Sequence, residues 1–205
     1  MKKLLFTIMF LISSICLYSQ PYSLGIKANI LTGNKNLNYE IGPSVSIDYR
    51  FNQVPFSITG NTIFTLSELS NKNNFSTGFS RTALSLGIRI NYYPLVWVIE
   101  PYIGVGVFYN FNNINSSGTL SPSSDGFIRS PKNIKNNFSS EITVGLNFST
   151  NSSINFIFEV AKTFNKPTYD LKTTDTKGVK YITTFSKETF DFNSIFIKFG
   201  LYFKL

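Results

Sequence analysis

The sequence predicts an all-β protein, an eight-stranded antiparallel up-and-down transmembrane β-barrel. Apolar and polar residues alternate with a period of two in eight segments, the pattern of strands with two different faces. The connections between these segments alternate between long and short, as in barrels with short turns on one side of a membrane and longer loops on the other. The chain also has 21 phenylalanines and 11 tyrosines to bury, yet after residue 19 no segment holds the roughly 20 apolar residues of a spanning helix.

The eight predicted strands follow one another along the chain. They are residues 22–30, 39–51, 56–66, 81–92, 99–111, 137–148, 154–163 and 195–205. The last one is the clearest, because Ile195, Ile197, Phe199, Leu201 and Phe203 share one face. Most of these segments have about the 9–11 residues that a tilted strand needs to cross a bilayer.

The connections predict which ends of the strands lie together. Short turns at residues 53–55, 93–96 and 149–153 alternate with long loops at 32–38, 67–78, 112–136 and 164–194. In the last loop, residues 169–173 and 179–183 alternate like strands around a glycine-containing turn, so we expect strands seven and eight to continue as a protruding hairpin. Its exposed edge could recruit a partner by strand addition. Residues 116–130 are predicted to be a mobile loop without a recognisable site.

Aromatic residues of the apolar face cluster near the strand ends. Two aromatic girdles separated by an aliphatic belt are typical of a barrel that meets two membrane interfaces. The predicted girdle residues are Tyr39, Tyr49, Phe51, Phe64, Tyr92, Trp97, Tyr109, Phe111, Phe148, Phe164 and Phe203.

The opposite face carries an interior charge network among glycine, serine, threonine and asparagine. Its predicted members are Lys27, Glu40, Asp48, Arg50, Arg81, Arg89, Glu100, Glu141, Glu159 and Lys198. Equal numbers of cations and anions suit a filled, desolvated interior, and eight strands leave room for little besides side chains. We expect Arg89 to face Glu100, and a cation such as Lys27 or Lys198 to reach Glu141 and Glu159. This network favours a structural plug over a proton or ion path.

The amino-acid composition limits the catalytic and metal-binding chemistry that this chain could carry out. Residues 1–19 have a positive start and a short apolar run, so we predict a cleaved signal peptide, followed by a barrel domain over residues 20–205. The only cysteine, Cys16, lies in that signal, and the chain has no histidine. The commonest general base and metal ligand is therefore absent. A carboxylate pair such as Glu141 and Glu159 could do acid–base work in principle, but we expect no enzyme, no metal and no cofactor.

The formal charge of +8 comes largely from lysines in the predicted outer loops. Such lysines suit the phosphates of lipopolysaccharide and a possible protein partner. Nucleic acid is disfavoured because the cations are dispersed and the protein is predicted to be exported. We expect a monomer.

Residues 100–109 read Glu-Pro-Tyr-Ile-Gly-Val-Gly-Val-Phe-Tyr, and the chain ends in an aromatic strand. With the eight-segment layout, these features resemble the small outer-membrane barrels of the OmpA/OmpX type and are similar to the porin-like β-barrel family of Gram-negative outer membranes. Such barrels usually end on an aromatic residue, whereas here Lys204 and Leu205 follow Phe203. The resemblance implies a place in the cell outer membrane and a non-enzymatic role in surface interaction, adhesion, envelope stability or secretion.

Two other functions remain open on the sequence. The chain could be a component of an outer-membrane secretion or transport assembly, which the strand pattern does not separate from a surface role. It could also be a soluble lipocalin-like ligand-binding barrel with its apolar face inside, although that many large side chains would overfill a narrow lumen.

Overall fold

The fold is that of a computed structural model, which describes residues 22–34, 37–51, 54–69, 78–95, 98–117, 126–149, 153–177 and 182–205. The predicted signal peptide and Trp97 lie outside these residues. Within them, eight strands close into one barrel and three form a separate sheet. No helix in this part of the chain is long and apolar enough to cross a membrane.

All eight predicted strands are present in the barrel, so the predicted fold class is confirmed. They are β1 (Tyr22–Gly33), β2 (Leu37–Arg50), β3 (Phe56–Leu69), β4 (Gly78–Tyr92), β5 (Ile99–Ser117), β7 (Asn137–Phe148), β8 (Ile154–Phe164) and β11 (Ser194–Lys204). Each strand pairs antiparallel with its neighbours, and β1 pairs with β11 to close the barrel. Each strand is at least 11 residues long, which suffices to cross a bilayer at a tilt.

The barrel carries its apolar face outside and its polar face inside. On β4, Ile88 is 61 % exposed whereas its neighbour Arg89 is 2 % exposed, and the same alternation runs along the other barrel strands. A soluble barrel would leave such a surface in water. The lipocalin-like alternative, which needs the apolar face inside, is therefore wrong.

The remaining strands form a sheet beyond the long-loop end of the barrel, here called the outer sheet. It consists of β6 (Phe127–Lys132), β9 (Thr168–Asp175) and β10 (Ile182–Thr189), in the order β10-β9-β6. The protruding hairpin is thus present as β9 and β10, with its second strand later in the chain than predicted; residues 178–181 lie outside the described part.

The prediction of a mobile loop over residues 116–130 is wrong in part. Strand β5 continues to Ser117 by pairing with β4, and β6 begins at Phe127 and pairs with β9. Strand β6 escaped prediction because six residues with mixed side chains show no clear period of two. Its pairing covers one edge of β9, so that the sheet has β10 and β6 as its two edge strands.

A buried apolar cluster, here called the cap, lies where the long loops meet the barrel. It joins the ends of β2, β3 and β4 to the outer sheet and to the segment between β10 and β11. Its members are Leu37, Leu69, Phe79, Ile134, Tyr169, Leu171, Phe190 and Phe192. The cap closes the outer end of the barrel and fixes the outer sheet to it.

Candidate functional site

The barrel interior holds every member of the predicted charge network. Nine of these side chains are buried, and the side chain of Arg50 is 25 % exposed at the short-turn end. The buried members are Lys27, Glu40, Asp48, Arg81, Arg89, Glu100, Glu141, Glu159 and Lys198. They fall into groups stacked along the barrel, each with its own partners.

Glu159 on β8 is the centre of the largest group and is fully buried. Its carboxylate accepts hydrogen bonds from Lys27 at 2.7 Å and from Arg89 at 2.7 and 3.0 Å. The hydroxyl of Tyr102 donates a fourth bond at 2.5 Å. Tyr102 reaches this position across β7 because Gly145 has no side chain, and a Cβ there would lie 2.4 Å from the tyrosine ring. The carboxylate is therefore saturated by protein donors.

Glu141 completes this group from the neighbouring strand. It binds Lys198 at 2.7 Å and lies 3.6 Å from Arg89. Lys27 thus reaches Glu159, and Lys198 reaches Glu141. The expected contact between Arg89 and Glu100 is wrong, because β4 and β5 pair Arg89 with Gly106. The stagger of the closed barrel offsets the two strands, so the turn at Pro94 does not set the register.

A second group lies at the short-turn end. Glu100 binds Arg50 at 2.7 Å and accepts a bond from Asn147 at 2.7 Å. The Arg50 guanidinium stacks 4.2 Å from the ring centre of Tyr93. This group closes the lower end of the lumen with a charged pair and an aromatic ring.

Asp48 is the one acidic member of the network that has no ion pair among the described residues. Its carboxylate accepts hydrogen bonds from Ser57 at 2.9 Å and Thr59 at 2.5 Å. Asn91 in turn donates to both hydroxyls, at 2.9 and 2.8 Å. The carboxylate of Asp48 is thus stabilised by hydroxyl dipoles rather than by a cation.

A third group lies below the cap. Arg81 binds Glu40 at 3.1 Å and Asn112 at 2.7 Å, and its guanidinium lies 4.7 Å from the ring centre of Phe192. Beneath it is a cavity of about 50 Å³ that extends to Glu141 and Lys198. That volume holds one or a few water molecules. Buried side chains of the network thus line the lumen from the cap to the short turns.

The chemistry that this interior offers is limited. Its acids are paired with cations, except for Asp48, which accepts hydrogen bonds from the hydroxyls of Ser57 and Thr59. Among the described residues, no group of three or more acidic side chains could hold a metal ion.

Strand β10 of the outer sheet is the most exposed of the described strands. All eight residues of β10 are exposed, including Ile182 at 63 % and Phe185 at 68 %. Strand β10 is also an end of the sheet, so the backbone groups on its outer side have no neighbouring strand. The central strand of the sheet, β9, contributes Tyr169 and Leu171 to the cap. Burial raises the pKa of Tyr169, and its hydrogen bond to Glu188 acts in the same direction.

Sequence reasoning missed how the outer end is closed. Phe190 and Phe192 lie in a short segment that we assigned to a loop, but they are buried in the cap. Their backbone N–H groups donate to the carbonyls of Pro167 and Asn165, which continues the hairpin between the barrel and the outer sheet. The repeated Phe-x-Phe spacing was the available signal.

The predicted girdle residues of the described part all lie on the outer surface of the barrel, exposed or half-buried. Neighbouring rings contact each other, as in Tyr49 with Phe51 at 4.9 Å and Tyr109 with Phe138 at 5.0 Å between ring centres. An apolar belt with a polar, filled interior is the arrangement of a transmembrane barrel.

Solved structures share this architecture. The chain has the fold of the small outer-membrane barrels. The outer membrane protein OprG from Pseudomonas aeruginosa matches at a TM-score of 0.61 and 14% identity, over 91% of this chain and 96% of that one. Neisserial surface protein A, NspA, matches at 0.55 and 12%, over 92% and 98%. A major outer membrane protein from Thermus thermophilus matches at 0.54 and 11%, over 90% and 99%.

Sequence comparison adds no family. No family model matches the chain, and the search of curated proteins gave no match. At identities this low, the structural likeness speaks for the fold alone.

Proposed function

We propose that this protein is a non-enzymatic outer-membrane barrel, closed to solutes, that acts through its outer surface. Its outer sheet and the lysines around it contact lipopolysaccharide or a protein partner. The observation that carries this proposal is the contrast between a lumen lined by buried, paired side chains and an outer sheet whose edge strand β10 is exposed along its whole length.

The sealed lumen argues against a pore. The Glu159 group blocks the middle of the barrel, and Tyr102, Phe108 and Phe196 fill the space beside it. The cap closes the outer end with apolar side chains. A solute would have to break several buried ion pairs to pass.

The outer sheet supports a surface role. An edge strand exposes unpaired N–H and C=O groups that can hydrogen-bond an added strand. The half of β10 from Ile182 to Phe185 carries no charge, whereas Lys187 and Glu188 lie in the other half. Charged side chains usually protect edges from pairing, so the uncharged half is the better docking segment.

Conductance tests the closed lumen. The refolded protein in planar bilayers should show no steady conductance at neutral pH. A stable open level in most insertions would contradict the plug and would make a transport function the better proposal.

A paired substitution tests the surface role. Ile182→Lys with Phe185→Lys places two charges on the edge without touching the cap, and Leu95→Lys makes the matched change at the exposed short-turn end. In intact cells, a photoreactive residue at position 184 should give a defined crosslinked product that the edge variant loses and Leu95→Lys keeps. Equal crosslinking in all three proteins would contradict docking at β10.

The same edge also suits a component of a secretion or transport assembly, the second candidate function. The identity of the crosslinked product separates the two. A product with another envelope protein of the same cell favours an assembly, and a product with a host or surface molecule favours adhesion.

A further inference from the structure

The lipid-facing surface of the barrel carries a lysine, Lys162 on β8, that the proposed function does not use. On the described barrel strands, the outward face is built from apolar and aromatic side chains with few small polar ones. Two charged residues share that face, Glu68 next to the last residue of β3 and Lys162 within β8. Lys162 is half-buried and lies between Val160 and Phe164 on the outward side of its strand.

The residues that the structure describes supply no counter-charge to Lys162. Its cross-strand neighbours are Ile142 on β7 and Ile195 on β11, and both are exposed apolar residues. No ion pair of the described residues includes Lys162. A lipid-facing lysine in a barrel costs about 2–4 kcal/mol at the bilayer midplane and about 0–1 kcal/mol near an interface. An unpaired lysine is therefore tolerated close to an interface, where an anionic lipid headgroup is within reach of it.

The position of Lys162 along β8 brings it to the outer interface. It lies eight residues beyond the first residue of β8, which corresponds to a height of about 20 Å for a strand tilted by about 40°. The apolar band of such barrels is about 25 Å tall. A lysine side chain extends its ammonium group toward the headgroups while its stem stays in the acyl region.

The next residues of the chain extend this basic surface into the headgroup region. Phe164 belongs to the outer aromatic girdle and is exposed. The side chain of Lys166 is 60 % exposed and forms only a loose pair with Asp191, at 3.9 Å. The three residues alternate as cation, aromatic ring and cation from the barrel wall to the outer sheet.

We propose that Lys162 binds the phosphate group of an outer-leaflet lipid on the wall of the barrel, beside Phe164. This inference rests on the membrane placement proposed above. The ligand chemistry is an anionic lipid phosphate whose charge is not balanced by choline, which lipid A or an anionic phospholipid supplies. An ammonium group and a phosphate attract each other strongly at this partly desolvated boundary, and the attraction weakens with salt at the exposed Lys166 more than at Lys162.

The experiment compares the wild-type protein with Lys162→Met, refolded into neutral phosphatidylcholine vesicles. Protection of the barrel from protease first tests membrane insertion in both proteins. Lipid A, dephosphorylated lipid A or phosphatidylglycerol is then added, and the urea midpoint of unfolding is measured. Lys204→Met, exposed at the short-turn end of β11, is the matched control for loss of one lysine, because it lies away from the outer sheet.

We expect the anionic lipids to raise the midpoint of the wild type and of Lys204→Met, with an apparent affinity at least tenfold weaker in Lys162→Met. In phosphatidylcholine alone, Lys162→Met should be at least as stable as the wild type, because it removes an unpaired charge. A response to lipid A alone assigns the glycolipid, and an equal response to phosphatidylglycerol assigns any anionic lipid phosphate, in contrast to the zwitterionic phosphatidylcholine of the vesicles. Equal responses of Lys162→Met and the wild type would overturn the site. Failure of the wild type to insert would instead overturn the membrane placement.

Discussion

Replacing Glu159 with glutamine tests the account of the barrel interior most directly. The change keeps the size of the side chain but removes its negative charge. The carboxylate of Glu159 accepts hydrogen bonds from Lys27, Arg89 and the hydroxyl of Tyr102. Lys27 would lose its only described ion pair, and Arg89 would keep only the longer contact with Glu141.

The magnitude follows from the burial of the cations. Removing one partner of a buried ion pair typically costs about 3–5 kcal/mol, because the other charge stays desolvated and unpaired. Coulomb's law gives a similar figure, about 4 kcal/mol for unit charges about 4 Å apart at an effective dielectric constant of about 20. We therefore expect Glu159→Gln to lower the free energy of unfolding by about 3–5 kcal/mol.

Reversible urea unfolding in vesicles, followed by tyrosine and tryptophan fluorescence, measures this change. The double variant Glu159→Gln with Lys27→Met removes one stranded cation as well. It should be about 1–3 kcal/mol more stable than the sum of the single changes allows. Lys187→Met, exposed on β10, should lie within about 0.5 kcal/mol of the wild type.

Two results would refute the reasoning. A cost below about 1 kcal/mol for Glu159→Gln would mean that water already screens the group. Additive effects of the two changes would mean that Lys27 does not depend on Glu159. Either outcome would remove the physical basis for describing the interior as a plug.

Two further pairs of variants test the packing. Gly145→Ala places a Cβ 2.4 Å from the ring of Tyr102 and should lower the free energy of unfolding by about 1–3 kcal/mol. In Gly60→Ala the Cβ lies 4.0 Å from the nearest atom, so the free energy of unfolding should change by less than about 0.5 kcal/mol. Urea unfolding of both variants measures these changes. Phe192→Ala empties part of the cap and should cost about 3–5 kcal/mol, whereas Phe185→Ala on the exposed edge should cost less than about 0.5 kcal/mol. Equal losses of unfolding free energy within either pair would contradict the assignment of one residue of that pair as buried and the other as exposed.

The barrel could be predicted from the sequence because its signal is repeated eight times. A shift of one residue within a strand would turn a row such as Leu84, Leu86 and Ile88 into the lumen, so each strand allows only one assignment of its two faces. Interior membership of the charges follows from the same parity, which is why Lys27 and Glu159 could both be assigned to the lumen. Parity depends only on strand geometry.

Contacts between distant strands could not be predicted in the same way. The partner of Arg89 depends on the stagger of the closed barrel, which the hairpin turn at Pro94 does not reveal. The outer sheet depends on β6 meeting β9, two segments far apart in the chain with weak alternation. The cap depends on Phe190 and Phe192 turning inward, which only the closed structure defines.

The pairing of β1 with β11 has a consequence for how the protein is made. Ser23 pairs with Lys204, so the first described strand finds its second neighbour only when the last has arrived. Contacts of such long sequence separation slow folding, and until they form, both edges of the sheet remain open to other chains. The nascent protein therefore has to be kept from pairing with other chains until it reaches the membrane, and a chain that lacks β11 cannot close the barrel.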